Sequence, residues 1–167
     1  MSAASFTVRP MGEADRPVLL GHVRALNAIE DAIAGNRATC EADAAATLEH
    51  VLGRVAGSGG LRLVAAPAAE EGRVVGHLLL TLETAPPYVR PEFRRYAYVA
   101  DAFVQEGWRG RGAFRAMLAA AEAHARRAGC RHLMIGVLTG NSLAERAYLG
   151  SGFRPYALEL IREIPNA

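Results

Sequence analysis

Phe103-Val104-Gln105-Glu106-Gly107-Trp108-Arg109-Gly110-Arg111-Gly112-Ala113 joins an apolar run to a long amphipathic one, and its reading decides the fold. Tyr96 to Val104 reads as a strand. Beyond the turn, Phe114, Met117, Leu118, Ala121, Ala125 and Ala128 recur at helical spacing, and Gly129 ends the run. Arg126 and Arg127 fall in the last turn, where cations suit the helix dipole. The first N–H groups of a helix have no intrahelical acceptor, so this start, flanked by Arg109 and Arg111, suits a phosphate-bearing ligand.

The elements around it alternate between the two periods. Phe6 to Arg9 reads as a strand stopped at Pro10, and Glu13 to Ala34 as a helix with Val18, Leu19, His22, Val23, Leu26, Ile29 and Ile33 at helical spacing. Thr39 is placed to cap a second helix, about Glu41 to Val55, with Ala44, Leu48, Val51, Leu52 and Val55 inward. Leu61 to Ala66 and Val74 to Thr84 read as strands, and the proline-bearing stretch Ala85 to Arg95 as a loop. His132 to Leu138 reads as a buried strand. Ser142 and Glu145 form a capping box for a short helix, and Phe153 to Arg162 returns as one last strand or a pair. No repeat or linker interrupts this order, so one mixed α/β domain over 1–167 is expected.

Which phosphate the turn serves is narrowed by elimination. Gly110-Arg111-Gly112 lacks the third glycine of a dinucleotide fingerprint, since position 115 is Arg. A triphosphate loop needs Gly-Lys-Ser/Thr, and the chain has no Lys. A Gly-rich turn with solvated arginines remains the plain alternative until the downstream residues are weighed.

Those residues carry a resemblance. Val104…Arg109-Gly110-Arg111-Gly112, a helix, a buried strand and Asn141-x-x-Ala144-x-x-x-Tyr148-x-x-x-Gly152-Phe153 together resemble the GNAT superfamily of acetyl-CoA-dependent N-acetyltransferases. The specific part spans about 97 to 156, and the strand Ala100-Asp101-Ala102-Phe103-Val104 looks like that of small-amine acetyltransferases. The resemblance implies a mixed, mostly antiparallel sheet of six to seven strands flanked by about four helices. Two positions depart from the family pattern. Phe114 stands where a small residue is usual, and Ala100 where small-amine relatives often carry an acid.

The resemblance also implies roles. The amides of Gly110, Arg111, Gly112, Ala113 and Phe114 would hold the pyrophosphate of acetyl-CoA, with Arg109 and Arg111 neutralising it. The backbone of Phe103 and Val104 would pair with the pantetheine arm, and the Val104 amide would face the oxyanion. Asn141 would contact the same arm, and it also suits a helix cap. Tyr148, a phenol with an ordinary pKa near ~10, would donate to a thiolate whose acid lies near ~8.5; otherwise its ring simply packs. Asp101, or Glu83 on the preceding strand, could take the amine's proton through water. Glu30 and Asp31 could attract a cationic amine or form a solvated helix end. Trp108 packs under the turn or flanks the adenine. The loop with Tyr88 and Phe93 could border the acceptor site or be a stiff surface connection.

Composition bounds the rest. The net charge of +2, with 51% hydrophobic and 22% charged residues, announces no nucleic-acid or membrane partner. Cys40 and Cys130 lie far apart and read as two buried thiols of a reducing compartment rather than a disulfide. The five histidines lack ligand spacing, so no metal is expected, and no signal peptide or membrane span stands out. A cytoplasmic enzyme transferring acetyl to a primary amine of a small molecule is the reading, as a possible homodimer. Protein or peptide N-acetylation and a non-catalytic acyl-CoA-binding module are the alternatives.

Overall fold

A computed structural model describes residues 5–70 and 72–165. After β1 (Phe6–Pro10) come α1 (Arg16–Ala34) and α2 (Glu41–Ser58), then β2 (Leu61–Pro67) and β3 (Gly76–Thr84). One helical turn, α3 (Pro91–Arg94), leads into β4 (Arg95–Val104). The chain continues through α4 (Ala113–Arg127), β5 (His132–Ile135) and α5 (Ser142–Leu149). The strands lie in chain order; β1 to β4 are antiparallel, and β5 runs parallel to β4.

Helices cover both faces of the sheet, which is why its middle strands read as unbroken apolar runs. On one face Leu19 and Val23 of α1 and Leu48, Leu52 and Val55 of α2 pack with Val64 and Leu79. On the other, Met117, Ala121 and Ala125 of α4 pack with Leu63, Ala65, Leu78, Leu80, Ala97 and Val99. The alternation of a strand sends Leu79 to one core and its neighbours Leu78 and Leu80 to the other.

The inner face of α2 is the one its spacing predicts. Its cap is not: Cys40, rather than Thr39, occupies the position, its Sγ accepting the Asp43 N–H at 3.4 Å. For α5 the cap is Asn141, whose Oδ1 accepts the Ala144 N–H at 3.2 Å, in place of a Ser142–Glu145 box.

The sheet departs from expectation at its far edge. Among the described residues it has five strands, not six or seven, and five helices flank it if the single turn α3 is counted. The missing strands are those expected over Phe153 to Arg162, where residues 153–165 carry no regular structure. Leu158, Leu160 and Ile161 there are 75%, 88% and 89% exposed. An apolar stretch becomes a strand only where an edge accepts its hydrogen bonds, and within this chain no described strand pairs with it. β5 is also shorter than the run His132 to Leu138, because its pairing with β4 stops at Ile135.

Candidate active site

The site begins at a defect in β4. The β3–β4 ladder pairs Leu80 with Val99 and Leu79 with Asp101, so Ala100 opposes nothing. An extra residue inverts the alternation of the strand. Val99 packs on the α4 face, and Asp101 would follow it there; the bulge turns Asp101 to the α1 face instead, where His77 and Phe103 lie. Parallel pairing with β5 ends at the same level, at Val99 and Ile135. Beyond it the strands separate and a groove of about 870 Å3 opens. Ala100 to Val104 form one wall, Gly136 to Leu138 and α5 the other, and the start of α4 closes one end.

The Arg/Gly turn supplies that end. Gly110 (φ 70°) and Gly112 (φ 103°) both sit in left-handed backbone, which glycine adopts without the Cβ penalty. The first described bond of the α4 start is Ala116 N–H to Gly112 O at 3.0 Å, and no described side chain caps the helix. The amides of Ala113 and Phe114 therefore lie at an uncapped helix start on the groove wall. The two arginines differ. Arg109 lines the groove, donates its Nε–H to the Val104 carbonyl at 2.9 Å and lies over the Phe103 ring at 5.6 Å. Arg111 lies 5.2 Å over the Trp108 ring and does not line the groove. Trp108 itself meets the edge of Phe6, with ring centroids 6.0 Å apart. Arg115 and Arg146, which sequence reasoning did not single out, also line it; they look like ordinary exposed helix positions.

The ladder fixes which peptide groups of β4 are free. Gln105 N–H donates to Val75 O at 2.9 Å, which makes Gly76–Val104 a non-hydrogen-bonded pair. The Val104 N–H and C=O therefore point away from β3, toward the open side, while those of Phe103 turn toward His77 of β3. The Phe103 side chain lines the groove and covers the His22 ring at 4.9 Å.

Phe114 is half-buried: it leans on the α4-side core and meets the Tyr148 ring at 5.5 Å. On its other side Tyr148 meets Phe153 at 6.1 Å. Burial pushes the Tyr148 phenol up to about 12, and the Asp101, Glu30 and Tyr98 charges act in the same direction. The hydroxyl is thus a fixed donor across neutral pH. Asn141 lies on the same wall.

Asp101 is nearly buried and lines the groove. Its Oδ1 lies 2.8 Å from Nε2 of His77, within hydrogen-bond distance. His77, fully buried, meets the Nδ1 of His22 through its own Nδ1 at 3.1 Å, and Nε2 of His22 lies 3.1 Å from the Gln105 amide nitrogen. Burial first, then the neighbouring His77, pushes His22 down to about 4. Reading the histidines by ligand spacing alone misses this chain. The available signal is a lone His77 inside the apolar run Val74 to Leu80, with His22 on the inner face of α1.

The other candidate carboxylates are engaged elsewhere. Glu83 pairs with Arg54 at 2.7 Å and is not on the groove. Asp31 accepts the Arg37 N–H at 2.9 Å. Glu30 pairs with Arg37 at 2.8 Å, and both line the groove. The loop before α3 is stiffened by Arg94, which donates to the carbonyls of Val89 and Pro87. Its Tyr88 and Phe93 do not line the groove.

Residues 28–153 match the model of the acetyltransferase (GNAT) family. The chain belongs to that family. Its members use acetyl-CoA. The fold is shared with the aminoglycoside acetyltransferase AAC(6')-Iy solved with a bisubstrate analogue, at TM-score 0.69, 14% identity and coverage of 97% of this chain and 100% of that one. It is shared too with glucosamine-6-phosphate N-acetyltransferase of Arabidopsis thaliana, at TM-score 0.64, 13% identity and coverage of 96% and 99%. An acetyltransferase of Trypanosoma brucei matches at TM-score 0.64, 17% identity and coverage of 96% and 100%. Comparison of the sequence with curated proteins gave no match.

Proposed function

We propose that the chain is a single-domain acetyl-CoA-dependent N-acetyltransferase whose acceptor is a primary amine of a small molecule. The observation that carries this reading is the groove opened by the Ala100 bulge, with Asp101 on one wall and Tyr148 on the other. The amides of Gly110 to Phe114 with Arg109 would hold the pyrophosphate; Arg111, stacked on Trp108, contributes field rather than contact. The Val104 N–H, turned to the open side, would face the thioester oxygen.

The proton balance assigns the two side chains. An ammonium loses one proton to solvent through water that Asp101 hydrogen-bonds, its nitrogen attacks the thioester carbon, and the C–S pair leaves on sulfur. The second amine proton goes to the thiolate. A phenol near 12 lies about 3.5 units above a thiol of about 8.5, so full transfer from Tyr148 is uphill by about 5 kcal/mol. Tyr148 therefore hydrogen-bonds the departing sulfur rather than surrendering its proton.

The test is thiol release from acetyl-CoA across polyamines, amino-acid-like amines and aminoglycosides, in the parent and in Asp101→Asn. Turnover with at least one small amine, abolished in Asp101→Asn with acetyl-CoA binding retained, is expected. Binding without turnover across the panel would leave the non-catalytic module as the better reading. Turnover on peptides alone would move the acceptor class.

A further inference from the structure

Asp101 hydrogen-bonds the water that takes the amine's proton in the proposed acetyl transfer, and the role of the groups behind it rests on that reading. They form a buried series of four polar side chains: Asp101, His77, His22 and Gln105. The first three are buried to 9% exposure or less, and Phe103 covers both imidazoles. Such a series is tolerated in an apolar interior only if every link has one donor and one acceptor.

With both rings uncharged two assignments satisfy that rule, and an imidazolium at either ring would need the Gln105 oxygen turned toward His22. In one, Gln105 donates to His22 Nε2, His22 Nδ1–H donates to His77 Nδ1, and His77 Nε2–H donates to an ionised Asp101. In the other every arrow is reversed and Asp101 must carry a proton. The far end decides between them. The Gln105 amide nitrogen also lies 3.5 Å from the Val74 carbonyl, which can only accept. Turning the amide over would set oxygen against oxygen. The N–H end is thereby fixed toward His22, and each tautomer follows.

We propose that His77 and His22 are positioning residues: a one-way chain of neutral donors, set by Gln105, that holds Asp101 ionised and oriented in the groove. Oδ1 is occupied by His77, and Oδ2 makes no described hydrogen bond and is left for the water that takes the amine's proton. An arginine in place of His77 would also hold the carboxylate ionised, but its full charge would remove basicity, by about 1–3 pKa units. A neutral imidazole N–H holds the group with less loss. The depressed His22 titration fits a ring that stays uncharged at the link between His77 and Gln105. The other titratable groups around Asp101 are Glu30 of α1 with its partner Arg37, Tyr98 of β4, Arg109 of the turn and Tyr148 of α5. None of them hydrogen-bonds Asp101 among the described residues.

Long-range proton–nitrogen spectra of the labelled protein near neutral pH read the tautomers directly. His77 is expected with its proton on Nε2, His22 with its proton on Nδ1, and the Asp101 carboxyl carbon at its ionised shift. Inverted tautomers, or a protonated Asp101, overturn the proposal whether or not any amine is acetylated. With acetyl-CoA and a polyamine or an aminoglycoside, His77→Leu should lower kcat by about tenfold and move the acidic limb of the profile up by about one pH unit. KM for acetyl-CoA should not change. His77→Gln, which returns an N–H at the Nε2 position, should recover much of both effects, and Gln105→Met should give a weaker form of the His77→Leu defect. An unmoved pH limb in a folded, active His77→Leu overturns the positioning role. Expected tautomers without turnover on any amine support the chain and count against acetyl transfer instead.

Discussion

At Tyr148 the sequence offset and the structure give different halves of one role. The offset from Asn141 and Gly152-Phe153 picks out the residue, while only packing against Phe114 and Phe153 shows how firmly its proton is kept. A hydrogen bond to a developing thiolate contributes about 1.5–3 kcal/mol, so Tyr148→Phe should lower kcat roughly tenfold to hundredfold with acetyl-CoA affinity retained. Unchanged thiol release would show that the ring merely packs. The two arginines of the turn should likewise separate. Arg109→Ala removes a groove-lining charge and its tie to the Val104 carbonyl, and should weaken CoA binding about tenfold. Arg111→Ala removes a cation stacked on Trp108 and should cost about threefold or less. Calorimetric titration with CoA reads both, and equal losses would refute the distinction. Phe114, which stands where the family pattern has a small residue, leans on the core and on Tyr148.

The decisive element is β4. Its alternation, read without the bulge, gives the strand and its limits but sends Asp101 to the wrong face. One unpaired Ala100 reverses that and coincides with the end of β5 pairing, so the Asp101 carboxylate and the groove arise at one level. A bulge is a property of the ladder between two strands, and no residue of β4 alone announces it. The packing of α1 against β3 has its own consequence. Burial holds His22 near 4, against about 6.5 in an unfolded chain. Between those values the unfolded chain binds one more proton than the folded one, so stability falls as pH drops from 6.5 toward 4, by about 3 kcal/mol over the window. Urea unfolding at about pH 4.5 and 7 should show this loss, and His22→Gln should flatten it. An equal slope in the variant would assign the acid sensitivity to other groups, such as Asp15, whose carboxyl the Arg9 guanidinium holds below the usual range.

At the scale of the molecule the C-terminal segment stands apart. Tyr156, Leu158, Leu160 and Ile161 are largely exposed, and among the described residues β5 is an edge strand of the sheet. We propose that a second copy of the chain covers this arm. Light scattering should give twice the mass of 17.8 kDa, and Leu158→Asp with Leu160→Asp should return the monomer. A monomeric parent at tens of micromolar would end that proposal.

The sequence by itself determined the order of the main elements as far as α5, the inner faces of α2 and α4, the Leu19, His22 and Val23 part of the α1 face (Val18 and Ile33 are exposed), and the strand–turn–helix with its uncapped start. These follow from periodicity and turn chemistry, which act over a few neighbouring residues. It also carried the motif that identifies Arg109, Asn141 and Tyr148. Only the tertiary structure decided that Asp101 faces α1, that His77 and His22 stand behind it, that Arg111 turns onto Trp108, and that residues 153–165 leave the sheet. Each depends on register or on contact between residues far apart in the chain, such as His22 and His77, 55 positions apart, and local periodicity carries no record of such pairings.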